Sequence, residues 1–145
     1  MRRVELGFLS FLFLSLVACG SGSSNTINGS WSASLTNPDG SPAFSFTTTL
    51  NQSNGTTITG TNLTFSTATP CFSSVQSESG GFTLTGNTSG VTTGTFELTV
   101  QSASPSGNVL TLSGAIANNT ITGTWTLTGV TSGCTGSGNF TMTKG

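Results

Sequence analysis

An all-β fold is predicted: an eight-stranded antiparallel up-and-down barrel built from two four-strand halves. Three observations carry it. Apolar residues recur at every second position among Ser and Thr neighbours, the period of a strand with one buried face. Short Asn- and Gly-rich stretches separate these runs at turn spacing. The chain also repeats itself. "NGTTITGTNLTFSTATPC", Asn54 to Cys71, matches "NNTITGTWTLTGVTSGC", Asn118 to Cys134, and Ile58 and Ile121 stand 63 residues apart, as do Cys71 and Cys134. A two-sheet β-sandwich is the alternative arrangement of the same strands.

The first predicted strand carries Trp31, Ala33 and Leu35 on one face and Ser30, Ser32 and Ser34 on the other. The second carries Phe44, Phe46, Thr48 and Leu50. The third runs from about Thr56 to Ser66; its apolar phase shifts between Ile58 and Leu63–Phe65, which predicts a bulge near Gly60. The fourth is Gly81 to Gly86, with Phe82 and Leu84 inward. The fifth, Val91 to Gln101, turns Phe96, Leu98 and Val100 inward, and the sixth, Asn108 to Ala117, turns Leu110, Leu112 and Ile116. The seventh is Thr120 to Thr128, with Ile121, Gly123, Trp125 and Leu127; the eighth is Gly138 to Lys144, with Phe140 and Met142.

In a meander, alternate connections share one end. Thr36–Pro42, Thr67–Ser79, Ser102–Gly107 and Gly129–Gly136 form the longer set, and the turns at Ser53–Gly55, Asn87–Gly90 and Asn118–Asn119 the shorter. An even strand number puts both termini at the short-turn end. Pairing the last strand with the first would remove both edges. The outer face would then be Ser and Thr, whereas a membrane-spanning barrel needs an apolar outer band.

Chemistry is sparse. Beyond the N-terminal segment the charged residues are Asp39, Glu78, Glu97 and Lys144. A basic patch for nucleic acid is absent. With no His and no Tyr, a serine nucleophile lacks its usual base and a zinc site its usual partners. Glu97, between Phe96 and Leu98, is expected to face outward. Glu78 is read as a solvated charge in a polar loop, so nothing brings the two acids together for paired-carboxylate chemistry. Pro38-Asp39-Gly40 reads as a turn. The expectation is no enzyme, no cofactor and no metal.

The N-terminus carries an address. Arg2 and Arg3 precede an apolar run, Leu6 to Val17, that is too short to span a bilayer comfortably. It ends in Leu16-Val17-Ala18-Cys19, which resembles a bacterial lipobox. The resemblance implies cleavage before Cys19, a diacylglycerol thioether on its sulfur and an acylated new N-terminus, hence stable membrane attachment through several chains. It divides the chain into a signal peptide (1–18), a lipidated Cys with a flexible tether (19–27) and a β-barrel domain (28–145). Gly20, where inner-membrane lipoproteins often carry Asp, points to the outer membrane of the cell envelope. With Cys19 lipidated and the chain exported to an oxidising compartment, Cys71 and Cys134 remain as partners in equivalent loops, and a disulfide between them is predicted.

"INGSWSASL" and "ITGTWTLTG" resemble the Gly-X-Trp strands of avidin-like and lipocalin-like barrels, over two strands of the eight. That resemblance implies a small apolar ligand in the barrel mouth, with Trp31 and Trp125 as candidate contacts; core packing is the other reading of both rings. The tyrosines and further tryptophans of avidin-like sites have no counterparts, so biotin binding is not carried over. More broadly the chain resembles small Thr/Gly-rich lipoproteins of soil bacteria, which implies no activity. The functional expectation is a non-enzymatic, membrane-anchored module that binds a small apolar ligand or an envelope protein. A structural or adhesive surface domain with a filled core is the alternative.

Overall fold

The structure, a computed structural model, describes residues 27–66, 70–88 and 91–145. The expected signal peptide, Cys19 and the expected tether up to residue 26 lie outside the described residues, as does the side chain of Leu84. Eight strands follow in order: β1 (Gly29–Thr36), β2 (Pro42–Asn54), β3 (Thr57–Phe65), β4 (Ser74–Thr88), β5 (Val91–Ser104), β6 (Ser106–Ala117), β7 (Thr120–Thr128) and β8 (Gly136–Lys144). Each pairs antiparallel with its sequence neighbour, and β8 pairs with β1 from Trp31–Lys144 to Thr36–Asn139. The sheet is therefore a closed barrel rather than a sandwich, and every strand has a paired neighbour on both sides, over only three residue pairs between β3 and β4.

The period-two pattern sets the two faces. Trp31, Ala33 and Leu35 in β1, Leu98 and Val100 in β5, and Leu110 and Leu112 in β6 are all buried inside. Their Ser and Thr neighbours are exposed or half-buried, so the outer wall is rich in hydroxyls. The connections after β1, β3, β5 and β7 lie at one end, here called distal. The start of β1 and the end of β8 lie at the other, basal end, where Trp31 pairs with Lys144. Packing extends to Ile27, fully buried at the base, one residue ahead of the boundary read from the sequence.

Three local expectations are corrected. β4 begins at Ser74, not Gly81, because Ser74–Ser79 pairs along the distal part of β5, Glu78 opposite Val100 and Ser79 opposite Thr99. Backbone hydrogen bonds build that ladder, so a Ser-rich segment without apolar alternation zips onto a long neighbour. The link between β5 and β6 is Pro105 alone, not a long loop. The irregularity in β3 falls at Asn62, which takes a left-handed φ of 56°. There the pairing jumps from Thr49–Thr61 to Thr47–Thr64, so that Asn62 and Leu63 stand opposite Thr48 alone, one extra residue in β3. Asn tolerates that backbone better than a β-branched residue does.

Candidate functional site

The predicted disulfide is present. Cys71 and Cys134 are bonded at the distal end, with Cα atoms 5.5 Å apart, and join the β3–β4 loop to the β7–β8 loop across a sequence separation of 63. Each sulfur comes from the same point of the repeated segment, so the bond ties the two halves together. Beside it Asn108, fully buried at the start of β6, forms a second clasp. Its Nδ2 donates to Cys71 O (2.9 Å) and to Thr131 Oγ1 (3.2 Å), while its Oδ1 accepts from Thr131 N (3.4 Å). Gly129 leaves the space: a methyl there would sit 2.2 Å from Asn108 Oδ1. Asn108 escaped the sequence reading although it shares parity with Leu110 and Leu112, which makes it an inward polar residue.

The two tryptophans sit at opposite ends. Near the base, Trp31 Nε1 donates to Ile27 O (2.7 Å). Near the distal end, Trp125 Nε1 donates to Thr36 O (2.9 Å), and its ring meets Phe44 edge-on at 5.3 Å. Both indole donors are thus engaged by the backbone, and both rings are buried. At 1% and 3% exposed, Trp31 and Trp125 are core residues, and neither offers a free N–H.

The residue that departs from its expected role is Glu78. It lies in β4, not a loop, with the parity of the inward Phe82, and is only 7% exposed. Its carboxyl lies over Gly60 of β3, where a methyl would come within 1.8 Å of Cδ and 2.1 Å of Oε2. Gly60 is therefore the socket that admits the acid. Among the described residues neither Oε1 nor Oε2 has a hydrogen-bond partner. The nearest hydroxyl, Thr48 of β2, donates instead to Thr61 O (3.2 Å) at the bulge. Burial pushes the carboxyl up to about 7, and the Thr48 side chain opposes this only in part. A clue was legible in "SESGGF": Glu78 stands four residues before Phe82 and so shares its face.

Glu78 also marks a seam. β3 and β4 pair only from Thr57–Gly81 to Thr59–Ser79, and the ladder stops at the step where Gly60 meets the carboxyl. Distal to that point the apolar residues of the neighbouring strands, Phe44, Leu63, Phe65 and Val75, are partly buried against the core rather than sealed within it. Phe72, from the loop between β3 and β4, stacks on Phe65 at 5.0 Å. Elsewhere on the wall, two shallow outer grooves of about 340 and 390 Å³ are lined mainly by Ser and Thr.

Glu97 faces outward on β5 as expected, on the opposite side of the wall from Glu78. Asp39 accepts from the Ser41 amide (2.9 Å) and hydroxyl (2.6 Å) in the exposed β1–β2 turn, and these bonds lower its pKa. The structure thus joins Cys71 to Cys134, keeps Trp31 and Trp125 apart, and separates the acids. Comparison with protein-family models, with curated proteins and with solved structures found no match for this chain.

Proposed function

We propose that the chain is a lipid-anchored, non-enzymatic β-barrel module of the bacterial cell envelope that holds a small, largely apolar ligand in its distal half. The lipobox-like Leu16–Cys19 supports the anchor, and Gly20 favours the outer membrane. The chain enters the barrel at the base, so a lipid on Cys19 would hold that end to the bilayer and turn the clasped distal end away. Catalysis lacks support from the residues at hand: no His or Tyr occurs, and Glu78 and Glu97 lie on opposite sides of the wall.

The single observation that carries ligand binding is the unpartnered carboxyl of Glu78 at the β3–β4 seam. Packed interiors satisfy nearly all their polar groups, because a buried orphan costs roughly 1–3 kcal/mol or more. An acid kept in that state, beside half-buried apolar side chains, suits a molecule that completes it. A structural or adhesive surface role is the second reading. It is favoured by how much of the interior Trp31, Phe46, Phe96 and Phe140 already occupy.

Native mass spectrometry of the lipidated protein, extracted from its own membrane, tests both. The expected result is acyl mass on Cys19, the two-hydrogen deficit of the disulfide and a retained small molecule released on unfolding. A lipidated chain with no added mass favours the structural role, and an unprocessed chain with unmodified Cys19 refutes the anchor.

A further inference from the structure

We infer that Glu78 is the polar anchor of the ligand site and that the ligand is an amphiphilic primary ammonium, a cationic head on a short apolar tail. The inference rests on the ligand-binding reading above and names the ligand's chemistry. The head follows from what surrounds the acid. Thr48 faces it from β2, with its hydroxyl proton directed to Thr61 O; Gly60 faces it from β3; Val100 is its ladder partner on β5. Among the described residues no charged group approaches it. Asp39 is in the exposed distal turn, Glu97 lies outside the wall, and Lys144 lies against Gly29 at the base.

The Thr48 hydroxyl is close enough to favour the ionised acid, but its proton goes to Thr61 O, so among the described residues the carboxyl keeps no donor of its own and no opposing charge. A primary ammonium supplies three N–H donors and a positive charge in one compact group. A fatty carboxylate would set two acids against each other, and an alcohol would supply one donor but leave the ionised acid uncompensated. No cluster of three or more ligating side chains occurs among the described residues, so a bare divalent ion would find one carboxylate where it needs several oxygens.

The tail follows from the seam. Leu63 and Phe65 on β3 and Val75 on β4 border the stretch where the ladder has lapsed, and all three are incompletely buried. A chain of a few methylenes laid there would remove apolar surface from water on both partners, at about 0.8 kcal/mol per buried CH₂.

Hexylammonium is the probe, hexanol and hexanoate are the controls, and the protein is the full lipidated chain in lipid nanodiscs. The ¹³Cδ resonance of Glu78 is followed against pH, and binding is measured by calorimetry at pH 8. Saturable hexylammonium binding is expected, with the Glu78 titration midpoint falling by about one unit or more, since a cation favours the ionised acid. Glu78→Gln, close in shape and expected to fold, weakens binding about tenfold or more. Gly60→Ala keeps the acid but displaces its carboxyl, and weakens binding as well.

Equal hexylammonium affinity in wild type and Glu78→Gln overturns the inference. If hexanol then binds both proteins alike, the apolar-ligand reading survives without Glu78. If no probe binds and no retained mass is found, both readings fall together.

Discussion

Gly60 and Gly123 occupy the same point of the repeated segment, and each leaves room in the barrel wall. At Gly123 the room goes to backbone: β6 and β7 approach so closely that a methyl would sit 2.1 Å from Ser113 O and 2.5 Å from Gly114 Cα. At Gly60 it goes to a carboxyl. The surroundings diverge in step. β7 pairs without a break from Val109–Thr128 to Ala117–Thr120 on one side and from Thr120–Thr143 to Leu127–Gly136 on the other. β3 shifts register twice against β2 and meets β4 over three residues only. Asn62 stands where the repeat offset puts Trp125 in the second half. There Trp125 closes the distal end; here a bulge opens the ladder. The second half behaves as scaffold, and the first carries the irregularity, the buried acid and the half-exposed apolar residues. Sites that bind tend to sit where stabilising regularity has been relaxed.

The bond between the halves offers the largest effect. Cys71→Ser or Cys134→Ser releases a long closed loop and should lower stability by about 4 kcal/mol, read from denaturant titrations of the oxidised and mutant proteins. The loosening should fall on the β3–β4 side. Hydrogen exchange that accelerates as much in β6–β7 as at the seam would break the contrast.

Asn108 belongs to the second half but holds down the first through Cys71 O. Asn108→Ala leaves that buried carbonyl without its donor and should cost roughly 2–3 kcal/mol. The same denaturant titrations measure it, and a change within about 0.5 kcal/mol would show that the disulfide clasps the mouth alone.

The third test concerns Glu78. An acid whose folded value is raised from 4.5 to about 7 adds stability that is complete below pH 4.5 and is lost as the pH rises through 7. Wild type should thus lose about 2 kcal/mol between pH 4 and pH 8, after allowance for solvent screening. Glu78→Gln should flatten this dependence, and Glu97→Gln, on the outer wall, should leave it intact. A wild-type profile that is already flat would remove Glu78 from the list of differences.

The smallest effect is expected at the bulge. Asn62→Ala keeps the left-handed backbone without the residue type that tolerates it, and should cost about 1 kcal/mol. Asn62→Gly should be close to neutral. Thermal melts of the two variants would tell them apart, and equal losses would indicate that the Asn62 side chain, rather than its φ, matters.

Much of this fold was open to reading from the residues. Alternation of the kind seen at Trp31, Ala33 and Leu35 reports a buried face directly, since side chains of a strand point to opposite sides in turn. The equal spacing of Ile58–Ile121 and Cys71–Cys134 placed the two sulfurs in matching loops, and closure of the barrel then brought them together. Glu78 was misread for a physical reason. The segment around it has no apolar alternation, and its strand exists because β5 is long enough to pair with it. Asn108 was missed because its partners, Cys71 O and Thr131, come from loops far along the chain.

The sequence alone determined the number of strands, most of their inward faces and the matching positions of Cys71 and Cys134, because these depend on local periodicity and on the repeat within a single chain. Only the tertiary structure decided that the sheet closes, that β3 and β4 part after three pairs, and that a carboxyl fills the space above Gly60. Those outcomes depend on which backbone groups find partners across the barrel, and on the side chain that one strand places over its neighbour.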